Sequence, residues 1–304
     1  MRLIYPDKGL ETLCRLFGKT RQGWYQWHQS KTSNALLESI VIKLVKDIRE
    51  HIGIQKLGAR KLQPLINEQL AKNNLRIGRD YLFDVMERNG LKVRQRKRRK
   101  PQTTDSSHGF RRYPNLIKEL EVHRPEQVWV VDITYLTVGG RFMYLSLITD
   151  AFSRKIMGYC LLDNLSTQGP LRALLMAFSN RLYVEKSLIH HSDQGVQYCS
   201  QEYVNMLKTH GIRISMTHRG SPQENAIAER VNGILKHHYD LIKSFETLHQ
   251  AEEAVQKTVE SYNYLRPHDS LNGMTPQQVH TAMAMEASVS SDRTIKKDVK
   301  AAQD

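Results

Sequence analysis

Apolar residues recur at Leu37, Ile40, Val41, Leu44, Val45 and Ile48, a period that fits one face of an amphipathic helix over residues 36–52 and no strand. Two shorter helical patterns follow. One runs from Ala59 to Leu70. The other covers Arg79 to Asn89 and stops at Gly90, a residue suited to a left-handed C-terminal cap. Three helices so closely spaced predict a helix-turn-helix-like domain over residues 34–91, although a small helical bundle that never meets DNA carries the same pattern. The segment CRLFGKTRQGWYQW, residues 14–27, reads as a further helical fragment within an N-terminal segment 1–33.

From residue 128 the pattern changes. VWVVDITYL (128–136), FMYLSLIT (142–149) and KIMGYCLL (155–162) are short runs rich in β-branched and aromatic residues, separated by turn segments containing GGR and DAFSR. They predict three antiparallel strands. A helix with Leu171, Leu174, Leu175 and Phe178 on one face comes next, then a strand SLIHH (187–191), a helix opened by Ser200, a strand IRISM (212–216) and a last helix. The order βββαβαβα predicts an α/β fold, a mixed sheet with helices on its faces, over residues 123–283. The stretch 284–304 has no apolar period and is expected to be a disordered tail.

Composition sharpens the picture. A chain of 304 residues suits one large domain and a smaller one, and a formal net charge of +14 with a pI near 9.6 points to a polyanionic partner. Nucleic acid is the commonest, with an anionic membrane as the competitor. No stretch approaches the ~20 apolar residues of a membrane span, and the start MRLIYPDKGLETLC lacks the order of a signal peptide, so a soluble internal protein is expected. Cys14, Cys160 and Cys199 are too few and too scattered for a disulfide framework or a cysteine-rich zinc site. KVRQRKRRK, residues 92–100, is cationic at Lys92, Arg94, Arg96, Lys97, Arg98, Arg99 and Lys100. It opens a basic linker, 92–122, read as an arm that tracks DNA phosphates, with a merely solvated tether as the alternative.

Three carboxylates carry the candidate chemistry. Asp132 interrupts an apolar strand, where a charge is costly without a partner. Asp193 follows the fourth predicted strand in the turn SDQG, at the C-terminal edge where α/β proteins tend to hold their chemistry. Strand four of such a sheet returns beside strand one, which aims both carboxylates at one spot. Glu229, separated from Asp193 by 35 intervening residues, lies on a helix, HRGSPQENAIAERVNGILKHH, whose one face repeats Asn225, Glu229, Asn232, Gly233 and Lys236 while Ile227, Val231 and Ile234 recur on the other. Converging carboxylates suit hard divalent cations, above all Mg²⁺ with Mn²⁺ as a substitute, and two such ions can serve phosphodiester chemistry. Taken singly, Asp193 reads as a turn residue and Glu229 as an exposed helix glutamate; the combination favours the site. Asp150 is assigned to a structural turn with Arg154 as partner, and His190 and His191 to hydrogen bonding at a strand end.

WVVDITYL, DAFSRKIMGY, HHSDQGVQY, ENAIAERVNGILK and YNYLRPHDSLNGMTP together resemble the transposases of the insertion-sequence 3 group, within the superfamily of retroviral-type integrases. The resemblance covers roughly residues 10–280. It implies an RNase H-like core with Asp132, Asp193 and Glu229 at the catalytic and metal-binding positions, a preceding helical module, and a chain often made as the second half of a frameshift fusion. It further implies double-stranded DNA as partner, at least two copies in an active complex, and a bacterial cytoplasmic location at the nucleoid. Glu224 stands where the family commonly has Asp, and His238 where it commonly has Glu. Asn225, Lys236, Arg266 and His268 are expected DNA contacts, although a C-terminal helix ending at Pro267 and packing on the core accounts for the last two equally well. Two other readings stay open: a non-catalytic DNA-binding protein, such as a regulator or decayed transposase, and a nuclease on the same fold.

Overall fold

The computed structural model describes residues 11, 14–15, 18–93, 109–218 and 221–282. The chain divides into two compact units, one drawn from residues before Gln95 and one from Gln95 onward together with Ile52–Lys56.

The first unit is helical: α1 (Arg21–Ile52), α2 (Ala59–Ala71) and α3 (Arg79–Arg88). No glycine or proline interrupts the chain between Trp24 and Ile52, so α1 runs unbroken through the expected boundary at residues 33 and 34, and the segment 14–27 supplies its start. Val41, Val45 and Ile48 are buried on α1, as are Leu62, Ile66 and Leu70 on α2 and Leu82, Val85 and Met86 on α3. Ile40 remains exposed. Asn67 closes the α2–α3 turn by exchanging bonds with both backbone groups of Ile77, at 2.9 and 3.1 Å. Helix α3 ends at Gly90, whose φ of +65° allows the Leu91 N–H to reach the Met86 carbonyl at 2.8 Å and its own N–H to reach Glu87. The buried Arg49 guanidinium then holds the Leu57 and Leu91 carbonyls.

The second unit is built on β1 (Val128–Val138), β2 (Arg141–Asp150), β3 (Ile156–Leu162), α4 (Gln168–Ser179), β4 (Ile189–Ser192), the short α5 (Val196–Cys199), α6 (Gln201–Thr209), β5 (Arg213–Met216), α7 (Ala226–His238), β6 (Ser244–Phe245) and α8 (Leu248–Tyr264). The sheet order is β3-β2-β1-β4-β5, with β6 added to β1. β1, β2 and β3 pair antiparallel, while β4 runs parallel to β1 and β5 parallel to β4. This is the mixed sheet expected of an RNase H-like core. Trp129, Val131, Ile148 and Met157 face a layer made by α4 and α6, and Leu136, Val138, Leu145 and Leu147 face α7 and α8.

Local sequence explains most of these boundaries. Ser200 caps α6 by accepting from the Tyr203 N–H. Thr247 and Gln250 form a reciprocal capping box that starts α8. α4 turns Leu171, Leu174, Ala173 and Ala177 inward, whereas Leu175, expected on that face, is 49% exposed. The face is narrow because α4 lies almost on β3, where Gly158 leaves no room: a Cβ there would sit 2.0 Å from the Ala173 carbonyl oxygen and 2.8 Å from the Ala177 nitrogen.

One expectation is corrected. Residues 109–122 do not belong to a linker, because Leu116, Ile117, Leu120 and Val122 pack on Val128, Val130 and Ala228, and Leu116 donates to Ser215. The irregular segment has no apolar period and therefore looked like a tether. Asp150 is structural as expected: its carboxylate accepts from Ser153 and the Glu126 N–H, and its carbonyl from the Arg154 N–H at 2.9 Å, while the Arg154 side chain donates to the Ala151 carbonyl. Fully buried Glu126 accepts in turn from Arg181, the Leu182 and Tyr183 N–H groups and His280. Burial pushes Glu126 up, but these bonds outweigh it and hold the carboxylate below its usual range. Among the described residues no helix is long and apolar enough to cross a membrane. Cys14 and Cys199 are buried, Cys160 is half-buried, and all three are free. The expected tail, 284–304, lies outside the described residues.

Gly158→Ala should force α4 off β3 and cost about 1–3 kcal/mol, read as a lowered midpoint in chemical denaturation, whereas Leu175→Ala should leave that midpoint nearly unchanged.

Candidate active site

Register brings the first two carboxylates together. The β1–β4 pairing runs Val128 with Ile189, Trp129 with His190 and Val130 with His191, then stops. Asp132 and Asp193 each lie two residues past that last pair, so they come side by side where β4 parts from β1, Asp132 still paired with Leu147 of β2. Asp193 sits in an Asx turn, its Oδ1 accepting from the Gly195 N–H at 3.0 Å. A Cβ at Gly195 would come within 2.9 Å of that same oxygen, so any side chain there would push the Asp193 carboxylate aside.

Beyond Val130 the edge of β1 has no strand partner until Thr137 meets Ser244 on β6. Helix α7 runs along this gap. Asn225 gives its amide N–H to the Val131 carbonyl at 2.9 Å, and two turns later Asn232 gives its own to Asp132 Oδ2 at 2.7 Å. Glu229 lies between the two asparagines in the first turn of α7, exposed, where the positive end of the helix dipole favours a carboxylate. Val231, Ile234 and Leu235 bury the opposite face. The loop before α7 is anchored by Glu224, which accepts from the His218 N–H, the His218 ring and Asn115.

Asp132 records the arrangement electrostatically. Its carboxyl is pushed up to about 7, first by burial, then by the charge of Asp193 and more weakly by Glu229, against opposing bonds from the Ile133 N–H and Asn232. The nearby histidines are neutral and offset nothing. Burial lowers His190 to about 3 and His191 to about 4, and the rings bond Tyr203 at 2.9 Å and Ser215 at 2.8 Å. Tyr198, buried beneath the two aspartates, has its phenol held well above the usual range by burial, Tyr203 and both carboxylates. Among the described residues no three His, Cys, Asp or Glu side chains gather tightly enough to hold an ion as they stand. The donor set is nonetheless all oxygen, and Asp132 shows what it lacks, a positive charge between like charges.

The expected DNA contacts fare unevenly. Asn225, Arg266 and His268 are buried. Asn225 holds α7 on β1, Arg266 approaches His238 Nδ1 at 3.3 Å, and His268 stacks edge-on to Tyr262. Arg266 and His268 follow α8 directly. Lys236 is half-buried with its Nζ 3.9 Å from the Tyr135 ring centre; burial lowers its pKa and the charge of Asp132 opposes that. Lys92 is exposed, bonded to Glu87 at 2.7 Å. Arg94, Arg96, Lys97, Arg98, Arg99 and Lys100 lie outside the described residues. Asn232, the residue that fixes Asp132, went unassigned although its spacing placed it on the polar face.

Two integrase core domain families match, one over residues 122–222 and another over 210–276. The uncharacterized 31 kDa protein of insertion element IS600 from Shigella sonnei is 30% identical over 266 residues, 87% of this chain and 96% of that protein. Transposase InsF for insertion sequence IS3A from Escherichia coli K12 is 27% identical over 291 residues, 91% of this chain and 98% of its own. Among solved structures, the magnesium complex of the HTLV-2 integrase catalytic core in its trimeric form is 22% identical, with a TM-score of 0.42, covering 52% of this chain and 97% of that one. A chain that aligns with element-encoded proteins over most of its length, and carries the integrase core where its sheet lies, belongs to the insertion-sequence 3 group of transposases in the retroviral-integrase superfamily: it is a polynucleotidyl transferase that moves an insertion sequence.

Proposed function

We propose that Asp132, Asp193 and Glu229 form one three-carboxylate centre that first cuts a DNA strand at an element end and then joins the freed 3′ hydroxyl to a target phosphodiester. The observation that carries this reading is the parallel register that ends at Val130 and His191 and delivers Asp132 beside Asp193, with Glu229 facing them from α7. Both steps are in-line displacements at phosphorus, so one site serves both. Mg²⁺, as two ions held by the three carboxylates, supplies Lewis-acid stabilisation of the displaced and attacking oxygens when bound. Asn232 keeps Asp132 oriented and favours its charged form. Lys236, within the field of Asp132, is placed to meet a DNA phosphate as a point charge.

An element has two ends, so the working complex takes at least two copies on double-stranded DNA, and the basic run 92–100 tracks the backbone. The product of an upstream reading frame, fused by frameshifting, supplies recognition of the ends. Such a complex works at the bacterial nucleoid.

Asp193→Asn should lower both cleavage and strand transfer by at least about a thousandfold, the loss of several kcal/mol of charge stabilisation, while DNA affinity measured without metal stays within a factor of about two. Equal activity of the variant would sink the assignment. Asn232→Leu removes a bond that favours ionised Asp132, so the Asp132 titration, near pH 7 in the wild type, should move upward in carbon-13 NMR of aspartate-labelled protein. An unchanged or lowered midpoint would show that Asn232 does not hold that carboxylate.

A further inference from the structure

Five residues along β1 from Asp132, where Thr137 pairs with Phe142, stand two aromatic rings that the strand chemistry above does not use. Phe142, at the start of β2, is 58% exposed, a large apolar ring standing in water. It meets the Tyr135 ring edge-on, with centroids 5.0 Å apart and planes at 66°. Lys236 covers Tyr135 in turn, and Lys236 also lies within the field of Asp132. Exposed Arg141 precedes Phe142 in the chain. The platform is rigid: β1 and β2 pair as far as Val138 with Arg141, β6 holds Thr137 and Val138, and the Gly139 N–H is bonded to the Phe245 carbonyl at 2.8 Å.

An exposed aromatic ring whose neighbouring ring carries a lysine suits a nucleotide, Phe142 taking a base and Lys236 a phosphate. Inside a duplex both faces of a base are covered by its neighbours, so only a terminal or unpaired base can offer a face to Phe142. We infer that Phe142, with Tyr135 and Lys236, is a stacking site for an unpaired base next to the cleaved end of the DNA. The inference rests on the three-carboxylate reading only for where that end lies. It adds a reason for the end to open: a base drawn out of the helix and stacked on Phe142 frees the strand to reach Asp132.

The test uses the full chain without divalent metal, a short duplex ending in a three-nucleotide single-stranded extension that carries 2-aminopurine, and the same duplex fully paired. Wild type should quench the probe and favour the extended DNA. Phe142→Ala should lose the quenching and roughly 5- to 150-fold in affinity for the extended DNA, with paired DNA unaffected, and Phe142→Trp should restore both. Equal loss on the two DNAs, or none, overturns the proposal. So does a change in self-association, seen by sedimentation, with the preference intact, since Phe142 would then face another copy. Because no metal is present, an inactive Asp193→Asn chain must behave as wild type here; failure of the carboxylate reading and failure of the stacking site are thus told apart.

Discussion

The parallel pairing of β1 with β4 ends after Val130 and His191, and the meeting of Asp132 with Asp193 depends on where it ends. β4 parts from β1 just before the two aspartates, and α7 takes over the edge that β4 leaves. Asn225 plays the part of a missing strand, giving the Val131 carbonyl the N–H that a neighbour would have supplied. Asn232 does the corresponding work at the carboxylate itself. The helix is therefore both a cover for the sheet and the ruler that sets Glu229 against the aspartates.

Burying a carboxylate beside like charges costs stability, and the cost is visible at Asp132, whose carboxyl is pushed up to about 7 first by burial and then by Asp193. The same unit treats another buried carboxylate in the opposite way. Glu126 is surrounded by donors and stays ionised, tying residues 181–183 and His280 to the start of β1. One carboxylate is neutralised by bonds the fold provides, the other left to be answered from outside. A bond from an amide to a charged carboxylate contributes about 1.5–3 kcal/mol, enough for Asn232 to orient Asp132 and too little to cancel two neighbouring charges.

Much of this was legible in the sequence because it rests on short-range rules. The five main strands follow from β-branched runs, the start of α6 from Ser200 and the end of α3 from Gly90. Asp132 stood out because an aspartate inside an apolar strand has few explanations, and Asp193 and Glu229 only in combination with it. Other parts depend on contacts that no local pattern carries. Residues 109–122 are ordered by Ser215, Glu224 and β1, all far along the chain, so their irregular sequence read as a linker. Asn225 and Asn232 are chemically identical in sequence, and an amide aimed at a carbonyl cannot be told from one aimed at a phosphate until the edge of β1 is seen. Arg266 was open to both readings in sequence, DNA contact or core packing, and its burial after α8 beside His238 depends on contacts across the fold. The two-residue β6 gave no signal, although the threonine and glutamine that open α8 did.

The edge of β1 from Val131 to Leu136 is masked only by a helix that comes about a hundred residues later in the chain. During synthesis that edge is complete, hydrogen-bond ready and uncovered well before α7 emerges. A gene copy cut short before Ala226 would therefore yield more than an idle enzyme. Its product would expose open β edge on an apolar sheet and be drawn into aggregation, so loss of the last quarter of the coding sequence removes the protein along with its activity.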